Sequence, residues 1–97
     1  MSSNKHHREI NARGAHDMTI IKEMVRYVSE VLADNPEAVE VNESTNNTSV
    51  TVELKVAPED MGRIIGRRGQ CIKAMRAVAK TLGRKMGKRT YLELIEE

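Results

Sequence analysis

The chain has no tryptophan and no phenylalanine, and its only aromatic residues are Tyr27 and Tyr91. A platform that shows several rings to successive bases, as in an RRM or an OB-fold, cannot be built from that stock. Cysteine is almost absent as well. Cys71 stands alone among arginines and lysines, so no internal disulfide can form, a zinc site lacks ligands, and a reducing compartment is expected. No run approaches the roughly 18 apolar residues of a membrane helix, and the stretch up to His16 has no hydrophobic segment. Neither a membrane span nor a secretory signal is expected, which sets the expected location in the cytoplasm. Without secretion, the N-x-S/T triplets starting at Asn42, Asn46 and Asn47 read as loop chemistry rather than glycan sites.

What is present is the material of one small globular domain: 97 residues, 39% hydrophobic and 31% charged. A chain of this size buries only roughly 60 to 65% of its unfolded surface, which leaves little for a deep substrate cavity and favours a binding module over an enzyme. The net charge of +2 conceals a strong asymmetry. Residues 17–56 carry three basic and eight acidic residues, whereas Met61 to Leu92 holds ten Lys or Arg and no Asp or Glu. Such a patch is suited to an anion, whether nucleic acid, an acidic protein or an anionic lipid surface.

Residues 1–16, with His6, His7 and His16, are polar and aperiodic and read as a disordered tail ahead of a domain at 17–97. From Asp17, a residue suited to a helix N-cap, apolar residues fall at Ile20, Ile21, Met24, Val25, Val28, Val31 and Leu32, the spacing of an amphipathic helix that Asn35-Pro36 ends. Val39 and Val41, then Val50, Val52, Leu54 and Val56 beyond a polar loop at 43–49, alternate with polar residues as a β-hairpin. Pro58-Glu59-Asp60 suits a helix start, followed by the short stripe Met61, Ile64, Ile65. A second helix after Gly69 presents Ile72, Met75, Val78, Ala79 and Leu82 on one face, with Gly83 as its stop. Thr90 to Ile95 reads as a last strand. The order is α-β-β-α-α-β, an α+β fold.

The most informative segment is Gly62-Arg63-Ile64-Ile65-Gly66-Arg67-Arg68-Gly69. Two glycines three apart bracket two arginines between helices; glycine permits positive φ and close backbone approach, and the free N–H groups of the following helix open into the same loop. Charge and backbone donors together fit the phosphate chain of an extended single strand. This I-I-G-R-R-G closely resembles the GXXG signature of KH domains, and the element order is similar to the type II, prokaryotic form, a three-stranded sheet with helices on one face. The resemblance spans residues 18–97, and a lone KH domain of this length looks like the small bacterial RNA-binding proteins of the KhpA type.

The resemblance implies single-stranded RNA as ligand, with Gly66, Arg67, Arg68 and Gly69 as the loop. Ile64, Ile65 and Ile72 would line an apolar groove for the bases, and Arg63, Gln70, Lys73 and Arg76 would flank it. It implies no cofactor, no metal and no catalysis, a role as an RNA chaperone or post-transcriptional regulator, and action with a second, larger KH-containing RNA-binding protein that influences cell shape and division. Self-association stays open. Ile64 and Ile72 read equally well as core residues, and Gly62 as a residue that permits close helix packing.

Other readings are weaker on the residues. A Walker A loop needs G-K-[ST], and Gln70 follows Gly69. Arg63, Arg67 and Arg68 exclude a G-x-x-x-G membrane dimer at Gly62 and Gly66. A helix-turn-helix DNA reader would share the short glycine turn, but its first helix would be only about two turns long and both helices lie between strands. A protein-assembly module whose basic patch docks an acidic partner is the remaining alternative. Glu59 and Asp60, the one adjacent carboxylate pair near the motif, are accounted for by the helix dipole.

Overall fold

The computed structural model describes residues 14–96, with side chains from Ile20 onward. The tail expected at 1–16 lies outside the described residues up to position 13. Residues 14–16 already belong to helix α1, Gly14–Leu32, so Asp17 sits inside the helix instead of capping it. The buried stripe of α1 runs through Ile21, Val25 and Ser29, all wholly inaccessible, while Val31 is 65% exposed. Val31 falls outside that stripe because a helix turns about 100° per residue, which carries it well to the side of Ser29.

Strands β1 (Glu40–Thr45) and β2 (Ser49–Lys55) pair antiparallel, and β3 (Arg89–Ile95) lies parallel to β2, giving the order β1-β2-β3. β1 reaches further than its apolar residues suggest, because Glu43, Ser44 and Thr45 pair with Val52, Thr51 and Val50. The turn shrinks to 46–48, where Asn46 Oδ1 accepts the N–H groups of Thr48 and Ser49, each at 2.8 Å. An Asx-type turn of this kind explains why three polar residues there make a hairpin.

A parallel pair cannot be joined by a tight turn; it needs a crossover, here helices α2 (Met61–Ile65) and α3 (Gln70–Lys85). Val41, Val50, Val52, Leu54 and Leu92 point from the sheet into a core closed by Ile21 and Val25 of α1, Ile64 of α2, and Ile72, Met75 and Ala79 of α3. The intervening Glu40, Asn42, Glu53, Arg89, Tyr91 and Glu93 are exposed. The three helices therefore cover one face of the sheet, and none of the described elements covers the other.

Two glycines act differently from the sequence expectation. Gly83 does not stop α3. It is buried inside the helix, where a Cβ would lie 1.7 Å from Thr90 Oγ1. The helix runs on to Lys85, and the stop is Gly87, φ 75°, just past the C-cap Met86, with Lys88 N–H donating to the Gly83 carbonyl and Gly87 N–H to that of Arg84, both bonds of a Schellman motif. Gly62 has open space where a Cβ would stand, so helix packing does not require it.

Candidate nucleic-acid interface

The crossover places the motif. α2 ends at Gly66, whose N–H donates to the Gly62 carbonyl at 2.9 Å and whose φ of 79° and ψ of 170° turn the chain sharply. A Cβ at Gly66 would lie 2.7 Å from the Cys71 Cβ and 2.9 Å from its backbone nitrogen, so the loop is folded directly onto the first turn of α3. Arg67–Gly69 form one 3-10 turn closed by Gly69 N–H to the Gly66 carbonyl at 3.0 Å. Within it Arg68 takes φ 57° and ψ 25°, a left-handed conformation that costs a side-chain-bearing residue about 1 kcal/mol or more.

α3 begins with Gly69 as its N-cap, with no side chain capping it and no acidic residue in its first turn. Its free N–H groups and the positive end of its dipole therefore face the loop without a carboxylate to satisfy them. Arg67, Arg68, Gln70 and Lys73 are all exposed. None has an acidic partner among the described residues, in contrast to Arg26, which pairs with Glu23 at 3.0 Å. The arrangement combines a tight backbone turn, an uncapped helix start and positive charge without an acidic partner among the described residues.

The other expected site residues are placed differently. Ile64 is wholly buried and Ile72 is 6% exposed, so both are core residues that offer a ligand almost no surface. Ile65 is half-buried beside a shallow depression of about 230 Å³ that it shares with Val56, Pro58, Met61, Ile95 and Glu96. Arg63 is committed within the fold: its guanidinium meets Asp34 at 2.5 Å and Asp60 at 3.7 Å. Arg76 donates from Nε to the Leu92 carbonyl at 3.1 Å and ties α3 to β3 while remaining exposed.

Asp60 has a role its sequence position did not reveal. It is wholly buried, and its two carboxylate oxygens accept the N–H groups of Asp34 and Asn35, each at 3.0 Å. It therefore ties the end of α1 to the start of α2, and Arg63 completes the cluster.

A second feature visible only in the fold is the seam between α3 and β3. β3 is an edge strand, and a depression of about 350 Å³ beside it is lined by Lys80, Arg84, Lys88, Arg89, Thr90 and Tyr91. A smaller one of about 220 Å³ continues it past Arg76 and Leu92 to Glu93. Lys80 lines both. The basic residues of α3 thus form a track that leads away from the glycine loop.

A glycine loop between two helices laid over a three-stranded mixed sheet defines a KH-type architecture. The chain belongs to the family described as KhpA/KhpB, KH domain, whose model matches residues 22–94. It is 47% identical over 73 residues to the RNA-binding protein KhpA of Caldanaerobacter subterraneus subsp. tengcongensis, covering 75% of this chain and 97% of that one. The RNA-binding protein KhpA of Aquifex aeolicus is 37% identical over 79 residues, covering 81% and 100%. A crystal structure of Aquifex aeolicus Era superposes with a TM-score of 0.56 at 24% identity, over 77% of this chain and 29% of that one, a likeness of fold. Among the described residues no helix is long and apolar enough to cross a membrane, and no group of three His, Cys, Asp or Glu could hold a metal ion.

Proposed function

We propose that this protein binds single-stranded RNA through the Gly66–Gly69 loop and serves in the cytoplasm as a small RNA chaperone or post-transcriptional regulator. The observation that carries the reading is the conjunction of two arginines without an acidic partner among the described residues, Arg67 and Arg68, with the uncapped start of α3. A phosphate at that point meets side-chain charge, backbone donors and the helix dipole together. The names of the relatives, RNA-binding proteins of the same family, agree with it. Arg67, Arg68, Gly69, Gln70 and Lys73 make the contact, with Arg63 and Ile64 supporting it from within the fold. The activity is binding without a catalytic step. Action together with a second KH-containing protein belongs to the same proposal, in keeping with a family model that KhpA and KhpB share.

A comparison of end-labelled single-stranded RNA with duplex DNA of the same sequence at matched salt tests the reading. An exposed strand suits the glycine loop, whereas a recognition helix needs the major groove. Tighter binding of the RNA is expected, and tighter binding of the duplex would contradict the proposal.

A further inference from the structure

The scarcity of aromatic residues makes the position of Tyr91 informative. It lies on the edge strand β3, between inward-facing Thr90 and Leu92, and is 47% exposed on the open side of the sheet. Its register partner on β2 is Thr51, and Arg89 precedes it on the same face.

Tyr91 is also where the surface depressions meet. The seam depression between α3 and β3 ends at Lys88, Arg89 and Tyr91. The same three residues line a wider one of about 550 Å³ on the far side, completed by Gly87 and by Asn47, Thr48 and Ser49 of the hairpin turn. Lys88 Nζ donates to the Asn46 carbonyl at 2.7 Å, which holds the turn against the end of α3 and shapes this second depression. Lys80, Arg84, Lys88 and Arg89 supply charge along the way, and no acidic residue lines either depression. A polyanion leaving the loop along α3 is thus drawn over the start of β3, and the exposed flat surface it meets there is a tyrosine.

We infer that Tyr91 forms a second RNA subsite, in which one base of a strand extending beyond the glycine loop stacks on its ring while the adjoining phosphates lie against Lys80, Arg84 and Arg89. This rests on the RNA reading above and extends it, since the loop clamps only about four nucleotides. Stacking on an aromatic side chain is tolerant of base identity because every base has a π-face. The subsite therefore lengthens the footprint without adding sequence preference.

The test uses oligoadenylate and oligouridylate of four and about eight nucleotides with the full chain labelled in its tyrosine rings. Because Tyr27 and Tyr91 are the only tyrosines, the NMR spectrum contains two sets of ring signals, and Tyr27→Phe assigns them. The eight-mer, and not the four-mer, is expected to move the Tyr91 signals upfield by the ring current of the stacked base, with Tyr27 unmoved. Tyr91→Ala is expected to weaken the eight-mer about tenfold, within the range of base–aromatic stacking, and to leave the four-mer unchanged. Tyr91→Phe, which keeps the ring, should bind both oligonucleotides as the parent does. If the parent bound both lengths while Tyr91 stayed unmoved and Tyr91→Ala bound the eight-mer normally, the subsite would be wrong and the RNA reading would stand. If the parent bound neither, both would fall. Melting curves of each variant separate lost contact from lost fold.

Discussion

Gly83 on α3 and Thr90 on β3 approach so closely that a Cβ on the glycine would overlap the threonine hydroxyl at 1.7 Å. This contact sets the distance between the helix and the edge strand, and with it the width of the basic seam. Gly83→Ala must push the two elements apart, and its expected cost is about 3 kcal/mol, the upper range for overpacking. Thr90 Oγ1 is buried without a hydrogen-bond partner, so Thr90→Ala alone should be nearly neutral. The double variant should recover at least about 1 kcal/mol of the loss, because the two residues share one contact. Urea denaturation of the four proteins checks this; strict additivity would mean that the two do not press on each other.

Gly66 and Gly69 both hold positive φ, 79° and 74°, but only Gly66 is crowded, with Cys71 below 3.0 Å from a Cβ. Gly69→Ala has room, its nearest neighbour being the Lys73 side chain at 3.9 Å. It should lose only the cost of a left-handed alanine, about 1 kcal/mol. Gly66→Ala should lose about 2 kcal/mol or more and displace the loop. Thermal melts give the ranking, and equal losses would contradict the described loop geometry.

Asp60→Ala should cost about 3 kcal/mol, since it leaves the N–H groups of Asp34 and Asn35 without their acceptors and removes a counter-charge from Arg63. Asp60→Asn keeps one carbonyl acceptor and should recover part of that. A neutral outcome in chemical denaturation would leave the helix-dipole explanation of Asp60 sufficient.

These examples also show where the sequence was legible. The spacing of Ile21 and Val25, the alternation of Val50, Val52 and Leu54, and the glycine pair at 66 and 69 are local patterns, and each corresponds to an element in the structure. Asp60 was misread because the groups it holds lie some 25 residues earlier, where no local pattern connects them. Gly83 passed for a helix stop because its partner Thr90 is on another element. Ile64 and Ile72 could not be divided between core and groove, since an amphipathic helix shows one apolar stripe whichever surface it faces. The seam residues became visible only once β3 was placed at the edge of the sheet.

Salt should weaken RNA binding in proportion to the phosphates neutralised. With roughly three phosphates held by the loop and its flanks, log K for a short oligonucleotide is expected to fall with log salt at a slope of about −2, at about −0.7 per phosphate for single strands. Fluorescence anisotropy across a salt series gives the slope. A value near zero would indicate a contact dominated by apolar surface.

The central claim, that Gly66–Gly69 is the RNA clamp, is tested most directly by the affinity of Arg67→Asp combined with Arg68→Asp. Both side chains are exposed and have no acidic partner among the described residues, so stability should move by no more than about 0.5 kcal/mol for each. Each substitution, however, swings the charge by two units and sets a carboxylate where the phosphate chain meets the start of α3. Binding of single-stranded RNA should become undetectable while circular dichroism and melting temperature match the parent. Lys5→Asp with Arg8→Asp changes the net charge equally and should weaken binding only slightly. Equal loss in the two double variants would show a diffuse charge effect and contradict the assignment of the loop as the clamp.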